Sequence, residues 1–388
     1  MNQEPLPAAL AAYAGAGRHD TPYELLAERE DGTVVRCGDV VAKAHAGDSD
    51  RAGLAVRMRI AADEALAGVL LAPLRPEVGF LGGRPVSLWP YGVPVDPERP
   101  GDAPWEAAGR LLAALHQVPV HRLPGPVPPM RGPAKLARAL RRLDRATAPD
   151  RATAPDRATA PDRAGGRGPT AGGAASAAAA SASASAAASA TADGAAPAAG
   201  GPAGARGAAG TTRTGPALVP GPAEGRPAGD LVRAAARTLP AWVRGEAPAP
   251  RGGALCHGDL HLGQLVRGPG PDGGWRLIDV DDLGIGTPAW DLARPAAWYA
   301  AGLLDTGTWV TFLDSYRADG GPAAGPPGSD PWPELDLAAR ALTVQTAALA
   351  LAKSVENHRR LDDVERLMVE SCARIASLPP DLEAHAPS

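Results

Sequence analysis

The chain has 388 residues, of which 45% are hydrophobic, so it can bury a sizeable core in two lobes or domains. Its formal net charge of -4 gives no basic footprint for a nucleic acid or an anionic membrane. Three cysteines far apart in sequence, without a CxxC pair, suggest neither a disulfide framework nor a thiolate metal site, and they favour a reducing compartment. Neither a signal-peptide pattern nor an apolar stretch of membrane-spanning length is present, so we expect a soluble, cytoplasmic protein without a membrane partner.

The first part of the chain, residues 1–92, predicts a small antiparallel sheet with one helix. After a short helical or irregular lead-in, turn signals separate three segments rich in β-forming residues: Tyr23–Ala27, Thr33–Arg36 and Asp39–Ala42. A helix over Arg51–Leu71 and a further strand over Arg84–Tyr91 complete this lobe. The meander ends in Val40-Val41-Ala42-Lys43, which places a single lysine on the third strand.

The remaining globular sequence, residues 93–144 and 230–388, predicts a helical lobe behind a hinge-like, turn-rich stretch at 94–104. Apolar spacing indicates helices over Trp105–Leu115, Ala134–Leu143, Asp230–Val243, Ala296–Leu304, Thr308–Tyr316, Leu335–Lys353 and Arg360–Ile375. Strands and helices do not alternate as they would in a parallel sheet. We therefore expect an α+β protein with a small sheet lobe and a larger helical lobe.

Residues 145–229 interrupt the helical lobe with a low-complexity tract. It opens with three identical copies of RATAPD and continues as Ala/Gly/Ser/Pro-rich sequence without an aromatic residue. Because so little apolar surface is present to offset the entropy of ordering, we expect a disordered insertion without catalytic residues. Basic residues outnumber acidic ones in this tract, so the rest of the chain is more acidic than the whole.

The densest group of potentially catalytic side chains lies within Leu255–Ala293. Asp259, in the sequence His257-Gly258-Asp259, is a loop carboxylate that could act as a general base. Gln264 offers a neutral amide oxygen suited to a hard cation, and Asp279 follows a strand-like segment as a second metal-binding group. These oxygens suit Mg²⁺ bound to phosphates, with Asp259 placed to accept the proton of an attacking hydroxyl.

The lysine of the sheet lobe completes this interpretation. Lys43 would supply a fixed positive charge for the α- and β-phosphates of a nucleotide. The preceding residues offer no comparable phosphate cradle, because the first turn, Glu28–Gly32, is acidic and not glycine-rich.

Two motifs carry a resemblance to a known family. His257-Gly258-Asp259-Leu260-His261 with Gln264, and Ile278-Asp279 followed by Gly286, Pro288 and Asp291-Leu292-Ala293, resemble the aminoglycoside phosphotransferase and choline kinase family. That family has a protein-kinase-like bilobal fold, and the resemblance covers most of the non-repetitive chain. The His-Leu-Gly-Gln form of the loop, with glutamine where the family more often has asparagine, resembles the maltokinase-like branch.

The resemblance implies a role for each matched residue. Asp259 would be the catalytic aspartate, Gln264 and Asp279 the metal ligands, and Lys43 the ATP-binding lysine. The segment Trp89–Gly92, including Tyr91, would be the hinge that faces adenine. His257 and Asp291 would support the catalytic loop, the latter from a helix N-terminus. The implied partner of Lys43 is an acid of the following helix, where both Asp63 and Glu64 qualify and we favour Glu64.

These observations together predict an enzyme that transfers the γ-phosphate of ATP, with Mg²⁺, to a hydroxyl of a small molecule. The acceptor is left open among an aminoglycoside, an amino alcohol and a sugar. Two other classes stay open. One is a metal-dependent hydrolase built from His257, Asp259, His261 and Asp279, and the other is a kinase-like nucleotide-binding protein with weak or no catalysis.

Overall fold

A computed structural model describes residues 5–15, 22–29, 32–148, 225–270 and 273–378. Most of the predicted insertion, residues 145–229, lies outside these ranges. The two edges of the tract that are described are helical, because one helix continues to Thr147 and the next begins at Gly225.

The sheet lobe contains five antiparallel strands: β1 Glu24–Arg29, β2 Gly32–Cys37, β3 Val40–His45, β4 Gly79–Leu81 and β5 Arg84–Pro90. Their order in the sheet is β1-β2-β3-β5-β4, which confirms the predicted antiparallel meander and adds the short strand β4. Gly38 has a φ of 60° in the turn between β2 and β3, a conformation that glycine adopts without strain. Helix α1, Leu6–Ala14, covers one face of the sheet, where Leu10, Val35 and Val86 form a small separate core.

Helix α2 is shorter than the sequence pattern predicted. It spans Arg51–Ala61 and begins at Asp50, whose carboxylate accepts the backbone N–H of Gly53. The predicted helix extended to Leu71, but Asp63 instead caps a separate 3-10 turn over Glu64–Leu66 by accepting the N–H of Ala65. An aspartate that bonds to the backbone in this way competes with the continuation of a helix.

The helical lobe is arranged around its longest helix. Its helices are α3 Trp105–His116, α4 Gly132–Thr147, α5 Gly225–Arg237, α6 Ala289–Ala300, α7 Thr306–Ala318, α8 Trp332–Glu356 and α9 Asp363–Ala376. Helix α8 packs against α4, α5, α6 and α9. It is long and apolar enough to cross a membrane by length and composition, but 67% of its most apolar window is buried in the fold, as in a core helix.

Helix α6 begins earlier than predicted and has a direct bearing on the site. The sequence indicated a helix over Ala296–Leu304, whereas the helix starts at Ala289 and runs through Pro295. A proline inside a helix removes one backbone hydrogen bond and usually ends the pattern, which is why the first half was missed. The earlier start places Asp291 in the first turn of the helix.

Short strands join the loops that carry the acidic residues. They are β6 Val93–Pro94, β7 Ala254–Cys256, β8 Leu265–Arg267, β9 Trp275–Leu277 and β10 Gly284–Gly286. Strand β7 pairs with β10, and β8 pairs with both β6 and β9, all antiparallel. The loop at 257–264 joins β7 to β8, and the loop at 278–283 joins β9 to β10. Because β7 pairs with β10 and β8 pairs with β9, the two loops are held side by side.

Candidate active site

The loop that follows β7 is fixed by a buried carboxylate. Asp291 accepts the backbone N–H of His257 at 2.6 Å and that of Gly258 at 2.7 Å. The His257 ring is fully buried and donates from Nε2 to the carbonyl oxygen of Ile278 at 2.8 Å. Gly258 has a φ of 85°, and a Cβ there would lie 2.5 Å from the carbonyl oxygen of Asp282, so only glycine fits. The two loops are thus locked together directly upstream of Asp259.

Asp291 itself is held by a residue that the sequence did not identify. Nε2 of His116, at the end of α3, lies 3.0 Å from its carboxylate, and Nδ1 of the same ring lies 2.8 Å from the hydroxyl of Tyr316. Burial would raise the pKa of the Asp291 carboxyl, but the hydrogen bond and charge of His116 and the loop amides lower it below its usual value. The carboxylate is therefore ionised and can hold both loop amides.

Asp259 directly follows Gly258 in this loop and lies between two cations. Its carboxylate oxygens lie 2.9 Å from Nζ of Lys135 on α4 and 3.1 Å from Nη2 of Arg294 on α6. Arg294 also donates to the carbonyl oxygen of Leu260 at 3.0 Å. Burial alone would raise the pKa of the Asp259 carboxyl, but Lys135 and Arg294 outweigh it and lower that pKa well below its usual range. Asp259 is consequently a carboxylate, free to accept a hydrogen bond but weakly basic.

The second acidic loop meets the lysine of the sheet. Nζ of Lys43 lies 2.8 Å from Asp279 and 3.0 Å from Asp281. Asp279 has a φ of 63°, a left-handed conformation that is uncommon for a residue other than glycine and is often found at functional sites. Burial alone would lower the pKa of the Lys43 ammonium, but the two carboxylates raise it above its usual value, so the lysine is charged.

The predicted ion pair between Lys43 and Glu64 is wrong. Glu64 is exposed in the 3-10 turn beyond α2, and Asp63 is occupied as the cap of that turn. Helix α2 contains no acidic residue that could reach the lysine. The place of a helix carboxylate is taken by Asp281, which also lies 3.1 Å from Nδ1 of His45.

His45 continues this contact into the sheet. Its Nε2 lies 2.9 Å from the hydroxyl of Ser87, which also accepts a hydrogen bond from the indole of Trp89 at 2.9 Å. The Trp89 side chain is 8% exposed and belongs to the core, and the Tyr91 ring is stacked under the guanidinium of Arg36. Both rings of the predicted hinge are therefore engaged within the protein, and the backbone N–H of Tyr91 donates to the carbonyl oxygen of Asp39 at 2.7 Å.

Gln264 and the Asp279 loop are neighbours at one end of the paired strands β8 and β9. The backbone N–H of Ile278 donates to the carbonyl oxygen of Gln264 at 2.9 Å, so Gln264 lies beside the start of the Asp279 loop. Gln264 is 7% exposed. An amide oxygen and a carboxylate are donors that suit Mg²⁺.

The residues proposed for a metal-dependent hydrolase do not bring three ligand atoms close enough together to share one metal ion within the described residues. In the part of the chain that the structure describes, one group of three potential ligands lies within 4.8 Å, and it consists of His116, Cys256 and Asp291. Burial, followed by the charge of Asp291, raises the pKa of the Cys256 thiol well above its usual value. This group is a buried hydrogen-bonded support and offers no thiolate to a metal.

The family follows from the sequence as a whole. Residues 40–334 match the phosphotransferase enzyme family, and this span includes both loops and Lys43. The chain belongs to this family. No curated protein is similar enough to this phosphotransferase to count as a relative.

Several solved structures are similar to this phosphotransferase. A choline/ethanolamine kinase family protein from Mesorhizobium loti has 17% identity and a TM-score of 0.48, covering 96% of this chain and 94% of that one. Choline kinase LicA from Streptococcus pneumoniae has 12% identity and a TM-score of 0.45, covering 92% and 93%. A spectinomycin phosphotransferase, in complex with ADP and spectinomycin, has 11% identity and a TM-score of 0.46, covering 92% and 89%.

Four residues of the phosphotransferase site were missed from the sequence, and two of them left a signal. His45 lies two positions after Lys43 on the same strand, and residues at this spacing share a face. Arg294 directly follows the Asp-Leu-Ala motif. Lys135 and His116 left no local signal, because a lysine in an amphipathic helix and a histidine at a helix end are common without function.

Proposed function

We propose that this phosphotransferase transfers the γ-phosphate of ATP to a hydroxyl group of a small molecule. The observation that carries the proposal is the meeting of Lys43, from the sheet, with Asp279, 2.8 Å away on the loop beside Asp259. A lysine and an aspartate that face each other across the two lobes are the groups that phosphoryl transfer needs for phosphates and for the metal that accompanies them. The rigid support of the Asp259 loop favours an enzyme over a non-catalytic binding protein.

Asp259 is proposed to orient the acceptor. Its carboxylate would accept the hydrogen bond of the attacking hydroxyl and hold that oxygen in line with the transferred phosphoryl group. Because Lys135 and Arg294 lower the pKa of Asp259, the carboxylate is a poor base before the reaction. It would accept the proton only as the new bond to phosphorus forms, when the hydroxyl becomes strongly acidic.

Lys43, Gln264 and Asp279 are proposed to hold the donor side. Lys43 would move from its carboxylate partners to the α- and β-phosphates, while Asp281 stays beside it through His45. Gln264 and Asp279 would hold Mg²⁺, and their oxygen donors fit that ion. When bound, this ion neutralises charge on the phosphates of ATP.

The proposal is tested with the full chain, radiolabelled ATP, Mg²⁺ and a panel of hydroxyl compounds. Transfer of label to an acceptor supports it, and the Asp259→Asn variant should lower the rate by about 10² to 10⁴-fold. Asp314→Asn is a matched control, because Asp314 is an exposed aspartate on α7 with a side chain that is 61% accessible. A thermal shift with ATP that depends on Mg²⁺ would separate this enzyme from a hydrolase. Absence of transfer to any acceptor, or an Asp259→Asn variant as active as the control, would contradict the proposal.

A further inference from the structure

A cleft beside Asp259 has the position expected for the acceptor. It is shallow and opens to solvent between α4, α6 and α8. The polar and aromatic side chains that line it are Lys135, Asp259, Trp290, Arg294 and Gln345. A molecule in this cleft would contact the catalytic carboxylate directly, because Asp259 is part of the wall.

The charged groups of this wall are mainly cationic. Lys135 and Arg294 both direct their charged ends at Asp259, at 2.9 and 3.1 Å. Both side chains are largely buried, with 19% and 22% of their surface exposed. Lys135 also contacts Asp282, so three cations, Lys135, Arg294 and Arg131, share two carboxylates here. One positive charge is therefore in excess, and a ligand experiences a partly buried charge strongly.

Further cations surround the mouth of the cleft at the start of α4. Arg131 lies 3.7 Å from Asp282, and Lys135 lies 2.5 Å from the same residue. The pKa of the Arg138 guanidinium is lowered by burial and by the neighbouring charge of Arg131, which shows that like charges are crowded here. Asp259 and Asp282 are the nearby carboxylates, and both are already paired within the described ranges.

A positively charged acceptor would meet two costs in such a cleft. It would be repelled by Lys135 and Arg294, and it would find no unpaired carboxylate among the described lining residues to hold its ammonium group. An acceptor that carries a negative charge would instead meet more cations than carboxylates. Its anionic group could contact Lys135 or the planar fork of Arg294 while its hydroxyl contacts Asp259.

We propose that the acceptor is a small hydroxylated compound that carries a carboxylate or a phosphate, and that Lys135 binds this group. The proposal rests on the proposed function, because it concerns the acceptor of the same reaction. It selects against polycationic aminoglycosides and amino alcohols, and it makes Lys135 a residue that determines specificity.

Acceptors that differ in charge but not in carbon skeleton test the proposal. A three-carbon series consists of D-glycerate, glycerol 3-phosphate, glycerol and serinol, and a six-carbon series of D-gluconate, sorbitol and 1-amino-1-deoxysorbitol. We expect the acids to be phosphorylated with a kcat/KM at least tenfold above the neutral compounds, and the amines to be the poorest acceptors. Glycerate against glycerol 3-phosphate distinguishes a carboxylate site from a phosphate site.

Lys135 variants separate anion binding from general effects on the reaction. Lys135→Gln should lower the ratio of kcat/KM for acid over neutral acceptor by about tenfold to a hundredfold, because a charged hydrogen bond is lost. The ratio removes any common effect through Asp259. Lys135→Arg should restore much of the preference, and Arg141→Gln, which removes an exposed cation from the same helix, should leave it unchanged.

The possible failures are distinguishable. If a neutral or cationic compound is the better acceptor in its series, or if Lys135→Gln keeps the preference for acids, the anionic acceptor is wrong while the phosphotransferase stands. If the enzyme phosphorylates other hydroxyl compounds and binds none of these acids in calorimetry with a non-hydrolysable ATP analogue, the anionic acceptor is again wrong. If no compound receives phosphate from ATP, the proposed function itself fails.

Discussion

Replacement of Asp291 by asparagine tests the support of the Asp259 loop most directly. The carboxylate is fully buried and makes three hydrogen bonds, at 2.6 Å to the N–H of His257, at 2.7 Å to that of Gly258 and at 3.0 Å to His116. Asparagine has one acceptor oxygen, so its NH₂ group would face another donor. One loop amide would be left without a partner in a buried place.

The expected loss of stability follows from these contacts. A hydrogen bond to a charged group contributes about 1.5 to 3 kcal/mol, and a buried group left unpaired costs about 1 to 3 kcal/mol. We therefore expect Asp291→Asn to lower the free energy of unfolding by about 3 to 5 kcal/mol, a range measured when a buried pair loses one partner. Typical domains are stable by about 5 to 15 kcal/mol, so the variant should still fold.

Urea denaturation followed by circular dichroism measures this loss. Asp305→Asn is a matched control, because Asp305 caps α7 by accepting the N–H of Thr308 at 2.9 Å in an exposed place. That variant should lose little stability, because asparagine caps a helix about as well as aspartate does. The pKa of the Asp291 carboxyl is lowered in the fold, so its contribution is complete at neutral pH and is lost as pH falls below about 4, the ordinary value of an aspartate.

Two results would refute this account of the loop. A loss for Asp291→Asn no larger than that of the Asp305→Asn control would show that the loop amides do not depend on the carboxylate. An undiminished rate of phosphate transfer would show that the position of Asp259 does not depend on it either, because a displacement of about 1 Å is expected to cost about 10²-fold.

The remaining predictions concern single side chains. Asp281→Asn removes one of the two carboxylates of Lys43, so KM for ATP should rise several-fold, and adding His45→Gln should cause little further change; additive effects would show that the two residues act separately. Burial, with a contribution from Arg294, lowers the pKa of His261 to about 4, so the wild type should lose stability as pH falls from about 6.5 towards 4. His261→Gln should lack about 2 kcal/mol of the loss between pH 7 and pH 5, and an equal loss of stability in the two proteins, measured by urea titration, would contradict this. Burial raises the pKa of the Cys372 thiol to about 12, so a thiol reagent at pH 8 should label it only after denaturation, and rapid labelling of the native protein would contradict its burial.

Patterns confined to neighbouring residues made the sheet lobe predictable. Turn signals and β-forming residues identified β1, β2, β3 and β5, and apolar spacing identified most of the helices. The short strands β7, β8 and β10 were missed, because three residues are too few to show an alternating pattern. These strands bring the two acidic loops together, so the sequence motifs named the residues of the site without showing how they meet.

Contacts between distant parts of the chain could not be predicted. Lys43 and Asp279 are 236 positions apart, and His116 and Asp291 are 175 positions apart. The incorrect choice of Glu64 shows the reason, since it assumed that α2 extends far enough to present an acid to the lysine. A cap at Asp63 ends that pattern, and only tertiary packing shows that Asp281 is the partner.

Lys43 pairs with carboxylates of a loop and not with a carboxylate of helix α2, and this determines how the two lobes are coupled. Lys43 contacts both Asp279 and Asp281, so one loop holds the lysine and also carries the proposed metal ligand. Helix α2 contacts the same loop through a cation instead. The buried Arg57 donates to the carbonyl oxygen of Leu283, at the end of the loop, at 2.7 Å. A displacement of α2 alone would leave both carboxylate contacts of Lys43 in place. The distance between the lysine and Asp279 is therefore set by the loop, and a conformational change that separates them must move the loop relative to the sheet.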